Sequence, residues 1–177
     1  MAASPRDSTR PMTLLLAAVG AVVTALIELT VIPYLRIGTA QPHPVLVLGV
    51  IVAIAIGLEA GLVWAFVGGL ALDVLAQRPL GSTAFALLLC VGGASILARS
   101  LVRLRPIVPI LAVLVLSVAY SMILLTVWGA LSLPRSATDP VLMVVPGAVY
   151  DAVLAAVIGP LSVAVHDRRL EQERVDW

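Results

Sequence analysis

The chain contains no lysine: all 11 of its basic residues are arginine, set against 10 acids, for a formal net charge of +1 over 177 residues. So balanced a chain lacks the basic excess on which nucleic-acid binding draws. Charge of either sign is scarce, at 12% of residues, while 61% are hydrophobic, which inverts the balance of a soluble domain and makes lipid the expected solvent. Cysteine is limited to Cys90, inside an apolar run, so one chain can build neither a disulfide framework nor a cysteine metal site, and packing is the expected role of that thiol. No Ser, His and Asp grouping, phosphate-cradling glycine loop or pair of acids in a polar cleft can be read from the sequence. No catalytic residue, metal site or cofactor is therefore expected, and the chain reads as something other than an enzyme. His43, between Pro42 and Pro44, has no second histidine or carboxylate at ligand spacing, which argues against a metal there.

What the chain does have is a succession of apolar runs. At roughly 20–25 residues per span, its length admits at most about six or seven membrane helices and leaves no room for a separate catalytic domain. A polar segment, 1–11, precedes a first span over 12–32 that is broken only by Glu28. Gly38 and Ala40 raise the question of signal-peptide cleavage, but Pro11 to Ile32 is too long for a signal-peptide core, so a retained helix is expected. Pro33 and the turn-rich Gly38 to Pro44 segment separate it from a second span over 44–57, which is shorter than the roughly 20 residues a straight crossing needs. Spans over 60–76, 82–98, 107–131 and 141–165 follow, the last interrupted by Gly159 and Pro160. Between them lie a polar turn from Gln77 to Gly81, a basic loop with Arg99, Arg103 and Arg105, and a loop from Ser132 to Pro140. The tail, 166–177, alternates charges and reads as solvated. The expected fold is an all-α polytopic membrane protein with six transmembrane helices.

Six spans place Arg6, Arg10, Arg99, Arg103, Arg105, Arg168, Arg169 and Arg174 on one side, and Arg36, Arg78 and Arg135 on the other. The positive-inside rule then puts both termini in the cytoplasm of an inner-membrane protein. Merging the second and third spans would place the Arg99–Arg105 loop and the N-terminus on opposite sides, which fits the charges less well.

Gly57, Gly61, Ala65 and Gly69 recur every four residues and so share one helix face, a small-residue groove that lets another helix approach closely. Asp73 is the next step on that stripe. A carboxylate at the centre of a span costs about 2.5–3.5 kcal/mol on insertion scales, so Asp73 is expected to face protein or a polar cavity near the outer interface. It could cap the following turn or pair with Arg78. Glu28 and Asp151 are the other candidate polar groups inside spans, each without a basic residue at helical spacing, and a proton or cation pathway is one reading of them. Glu59, at a helix junction, reads as solvated.

The stretch from Gly61 to Gly81, GLVWAFVGGLALDVLAQRPLG, resembles the signature of the rod shape-determining MreD family, through Gly68, Gly69, Leu70 and Asp73 followed by Pro79, Leu80 and Gly81. Gln41, Pro42 and Leu46 are similar to the segment that opens the family's second helix. The specific match covers about forty residues, and the remaining helices agree in position and hydropathy alone. The resemblance implies a non-enzymatic subunit of the cell-elongation machinery that helps MreC link cytoplasmic MreB filaments to the RodA glycosyltransferase and its penicillin-binding transpeptidase. It also implies a fold similar to the six-helix substrate-binding subunits of energy-coupling-factor vitamin transporters, which makes such a subunit the alternative function. A solute site would need converging polar groups, and the outer loops offer little beyond Arg36, His43, Arg78, Arg135 and Asp139. Expected partners are thus MreC above all, MreB, RodA, the transpeptidase and membrane lipids, engaged through the Gly57 to Asp73 face, the Pro79 to Gly81 turn, or both.

Overall fold

The computed structural model describes residues 5–35, 41–100, 108–131 and 144–159, and among them there is helix and no strand. Helix α1 spans Pro5–Thr30, α2 Pro44–Ala55, α3 Leu58–Leu75, α4 Ser82–Ser100 and α5 Val108–Ala130, and α6 spans Val144–Gly159. Three of the six carry a stretch long and apolar enough to cross a membrane, namely Arg10–Thr30 in α1, all of α3, and Ile110–Ala130 in α5. Arg36, Gly38, Ala40, Arg103, Arg105, the Ser132 to Pro140 loop and the tail from Pro160 onward lie outside the described residues.

Proline and glycine set several of the helix ends. The first helix begins at Pro5, well before residue 12, and carries Pro11 inside it. A proline in the first helical position gives up only an N–H that would have no partner there. At the other end α1 gives way to a short 3-10 turn, Ile32–Leu35, containing Pro33, which cannot continue an α-helix. Pro44 opens α2 in the same first-turn position. Gly57 then separates α2 from α3 with φ +136°, a conformation that costs an L side chain dearly.

That turn folds α2 back along α3 as a tight antiparallel hairpin. Ala53 lies against Gly61, Gly49 against Trp64 and Val45 against Gly68. A second antiparallel hairpin joins α3 to α4, with Gly69 against the backbone of Ala84. Helix α1 runs beside α3, Gly20 under the Trp64 ring and Ala21 near Gly68, while α5 closes on α4 and α2.

Helix α2 is the centre of the bundle. It buries Val45, Leu46, Val47, Gly49, Val50, Ile51 and Ala53, and packs on α1, α3, α4 and α5. Twelve residues make only about 18 Å of helix, against a hydrocarbon core of about 30 Å. One end of α2 must therefore lie inside the bundle. The polar groups gathered around His43, Pro44 and Val45 identify it as the N-terminal end. Outside the bundle the surface is apolar, with Leu15, Leu16, Val19 and Val23 exposed on α1 and Val145, Val149, Val153 and Val157 on α6, as lipid-facing helices require.

Candidate functional site

A helix that starts inside a bundle presents N–H groups with neither an intrahelical partner nor water to bond. In α2 two carboxylates from other helices meet that need. Glu28 of α1, 5% exposed, accepts the Val45 N–H through Oε2 at 2.9 Å. Asp151 of α6, fully buried, accepts the His43 N–H through Oδ1 at 2.6 Å. Pro44, between them, has no N–H to satisfy. Both negative groups also sit at the positive end of the helix dipole, where anionic charge is favoured.

Asp73 does the same for α4. Its carboxylate is fully buried and accepts from the Gly81 N–H at 2.8 Å, the Thr83 N–H at 3.1 Å and the Ser82 hydroxyl at 3.2 Å. Of the two roles open to it from sequence, capping is the one its side chain takes. The chain reaches this geometry through Gln77 at φ 53° and Gly81 at φ +90°, with the Arg78 N–H bonded to the Asp73 carbonyl. The Arg78 guanidinium lies instead over the Trp128 ring of α5, 5.4 Å from its centroid, a cation–π placement. The Asp and the Pro-Leu-Gly turn of the sequence signature thus form one device, a carboxylate on α3 that caps α4 across a tight turn.

The small-residue stripe is filled from within the chain. A Cβ on Gly61 would lie 2.5 Å from the Ala53 Cβ, and one on Gly69 would lie 2.6 Å from the Ala84 nitrogen. Ala65 is completely buried between them. Gly68, on the adjacent face, meets Val45 and Ala21, and Leu70 is half-buried. The groove that the spacing offers to a foreign helix therefore accepts α2 and α4, and a partner could lie in it only by displacing one of them. Gly57 is different, since its Cβ position meets nothing and its value is conformational. Pro79 is half-buried, whereas Leu80, at the tip of the turn, is 73% exposed.

Sequence reading misses that Glu28 and Asp151, 123 positions apart in the chain, converge on the same helix end. It misses Ser117 and Tyr120 of α5 as well. Ser117 donates to Asp151 Oδ2 at 2.5 Å, and His43 Nδ1 lies 3.0 Å from the same oxygen. Tyr120, buried, meets the His43 ring edge to face at 5.4 Å. Nothing in a row of apolar spans marks one serine or tyrosine as the partner of a carboxylate on a later helix.

Serine, histidine and aspartate are thus together after all, in an order that does not make a nucleophile. Activation of a serine needs the imidazole between hydroxyl and carboxylate, so that the ring can take the hydroxyl proton. Here the carboxylate is in the middle, and the hydroxyl spends its proton on it. Among the described residues no three of His, Cys, Asp and Glu form a metal-ligand set. The arrangement anchors helices: Asp151 ties α6 to α5 and to the start of α2, and Glu28 ties α1 to α2. Trp64 adds a further tie, its indole N–H donating to the Val45 carbonyl at 3.0 Å.

Fold and site together define an all-helical membrane protein whose buried carboxylates hold helix ends. The family model of the rod shape-determining protein MreD matches residues 8–164. The chain belongs to the MreD family and so to the proteins that determine rod shape. No curated protein and no solved structure matches it, so a likeness to transporter subunits has the sequence resemblance as its sole support.

Proposed function

We propose that this chain is a non-enzymatic scaffold of the cell-elongation machinery in the inner membrane, linking MreC and MreB to the peptidoglycan synthases RodA and the penicillin-binding transpeptidase. Family membership over residues 8–164 gives the shape-determining role. The observation that carries the scaffold reading is the use made of Glu28, Asp73 and Asp151: each is committed to a helix end of its own chain. A protein so organised has a rigid interior and an apolar exterior, which suits it to holding other transmembrane segments. The arginine asymmetry supports six spans with both termini in the cytoplasm.

Of the two contact elements that the sequence offers, the Gly57 to Asp73 face is occupied internally and the Pro79 to Gly81 turn is open. MreC engagement therefore falls to the turn, with Leu80 as its exposed apolar tip. The test is affinity purification of the tagged protein from mild detergent, with mass spectrometry of what co-purifies. Recovery of MreC, RodA or the transpeptidase, reduced several-fold by Leu80→Ser in a normally folded protein, is the expected result. Recovery of ATPase subunits and a coupling protein would overturn the scaffold reading in favour of a vitamin-transporter subunit, and wild-type MreC recovery by Leu80→Ser would remove the turn from the interface.

A further inference from the structure

His43 stands where three helices meet, and its geometry exceeds what capping needs. Its backbone N–H already satisfies Asp151 Oδ1, yet its ring also reaches Oδ2 at 3.0 Å, on the oxygen that takes the Ser117 hydroxyl. It belongs to the connection ahead of α2 and keeps 24% of its side chain exposed, while its carboxylate partner is fully buried. A titratable ring with one edge on a sealed carboxylate, and itself the less buried of the two, is the group of the pair through which a proton can reach that carboxylate.

We propose that His43 is a proton-operated latch between α6 and the N-terminal end of α2, closed when the imidazole is charged and loosened when it is neutral. The charged and titratable groups facing the ring come from every side of it. Asp151 is on α6, Glu28 on α1, Tyr120 on α5, and Arg78 in the α3–α4 turn; α2 itself, PVLVLGVIVAIA, supplies none. Of the four, the two carboxylates favour the imidazolium and Arg78 opposes it. Closed, the latch gives Asp151 an ion pair in addition to three hydrogen bonds. Open, the neutral ring can still donate from Nδ1, but the attraction between its charge and the two carboxylates is gone. Opening therefore weakens the Asp151 attachment of α6 without unfolding the bundle.

The direction of the pH dependence follows from the balance at the ring. Burial alone would depress the His43 pKa, but the Asp151 hydrogen bond and the charges of Asp151 and Glu28 outweigh it, and the value stands above the usual 6.5. A group raised in the folded state contributes stability in full below its unfolded pKa and loses it as pH rises through the folded value. The latch is closed in mild acid and loosens as the medium turns alkaline. Each unit of upward displacement is worth about tenfold in the opening equilibrium.

The chain has two histidines, which makes the titration readable one ring at a time. The purified full-length protein in lipid nanodiscs, labelled at histidine, would be titrated by NMR from acid to alkaline pH, with His166→Gln assigning the second signal. In parallel, hydrogen-exchange protection factors of 144–159, corrected for base catalysis, would be followed over the same range. The expected result is a His43 midpoint above 6.5 and a loss of α6 protection through that same midpoint, about tenfold for each unit of displacement. His43→Gln keeps the backbone bond to Asp151 and should flatten the protection profile. A wild-type midpoint at or below 6.5, an α6 profile indifferent to pH, or an unchanged profile in His43→Gln would each overturn the latch, and the first two need no variant to fold.

Discussion

Replacing Gly69 by alanine adds a single methyl group, and the structure places it in the worst available position. The new Cβ would stand 2.6 Å from the Ala84 nitrogen and 2.9 Å from its Cβ, where ordinary contact begins at 3.4 Å. Its neighbour is helix backbone, with the Ala84 Cα nearer still, so no side chain can rotate away, and α3 and α4 must part by about 1 Å. One turn further on, Asp73 holds the start of α4 with a 2.8 Å bond to the Gly81 N–H. A comparable separation there would carry that bond past hydrogen-bonding range. Overpacking of this kind costs about 1–3 kcal/mol, and a weakened charge-assisted cap adds about 1 kcal/mol or more. Helix propensity returns at most about 1 kcal/mol, and less where the helix persists in the unfolded membrane state. The net expectation is a loss of about 2–3 kcal/mol. Gly92→Ala is the matched control, because the same methyl on α4 meets nothing within 4 Å and should be neutral or slightly stabilising. Unfolding in mixed detergent–SDS micelles, followed by tryptophan fluorescence, measures both. If the two variants unfold at the same SDS fraction, the close packing of α3 on α4 is not what Gly69 provides.

Asp73→Asn keeps the shape but turns an amide NH2 toward donors that need an acceptor, and should cost about 2–3 kcal/mol in the same assay; stability equal to wild type would refute the capping role. Glu28→Gln retains an oxygen for the Val45 N–H and should lose under about 1 kcal/mol, whereas Glu28→Ala leaves that N–H unpaired and should lose about 1–3 kcal/mol. Equal losses in the two Glu28 variants would mean that the charge matters and the hydrogen bond does not. Trp64→Phe removes the bond to the Val45 carbonyl and part of the ring under which Gly20 sits, and should cost about 1–2 kcal/mol with a loosened α1. Faster hydrogen exchange confined to α1 and the start of α2 is the pattern that checks it.

Sequence alone determined much of this protein, because much of it follows from chain-local chemistry. Hydropathy alone marks lipid as the solvent, since runs of apolar residues with so few charges have no other stable environment. Pro33, Pro44 and Gly81 punctuate helices through their own backbone restrictions, and so their positions are readable before any packing is known; Gly57, legible in the sequence only as the first step of the small-residue stripe, is the break between α2 and α3. The four-residue spacing of Gly57, Gly61, Ala65 and Gly69 announces a close helix contact for the same reason. What the spacing does not carry is the identity of the helix that fills the contact, and here tertiary structure decided in favour of α2 and α4. It also decided the fate of the carboxylates. Glu28 and Asp151 look unpaired in sequence because their partners are backbone N–H groups, which every residue but proline possesses and which become needy only when a short helix happens to begin inside the bundle. Local patterns can state that a buried charge requires a partner; only the folded chain brings Val45, His43 and Ser117 to the places where the requirement is met.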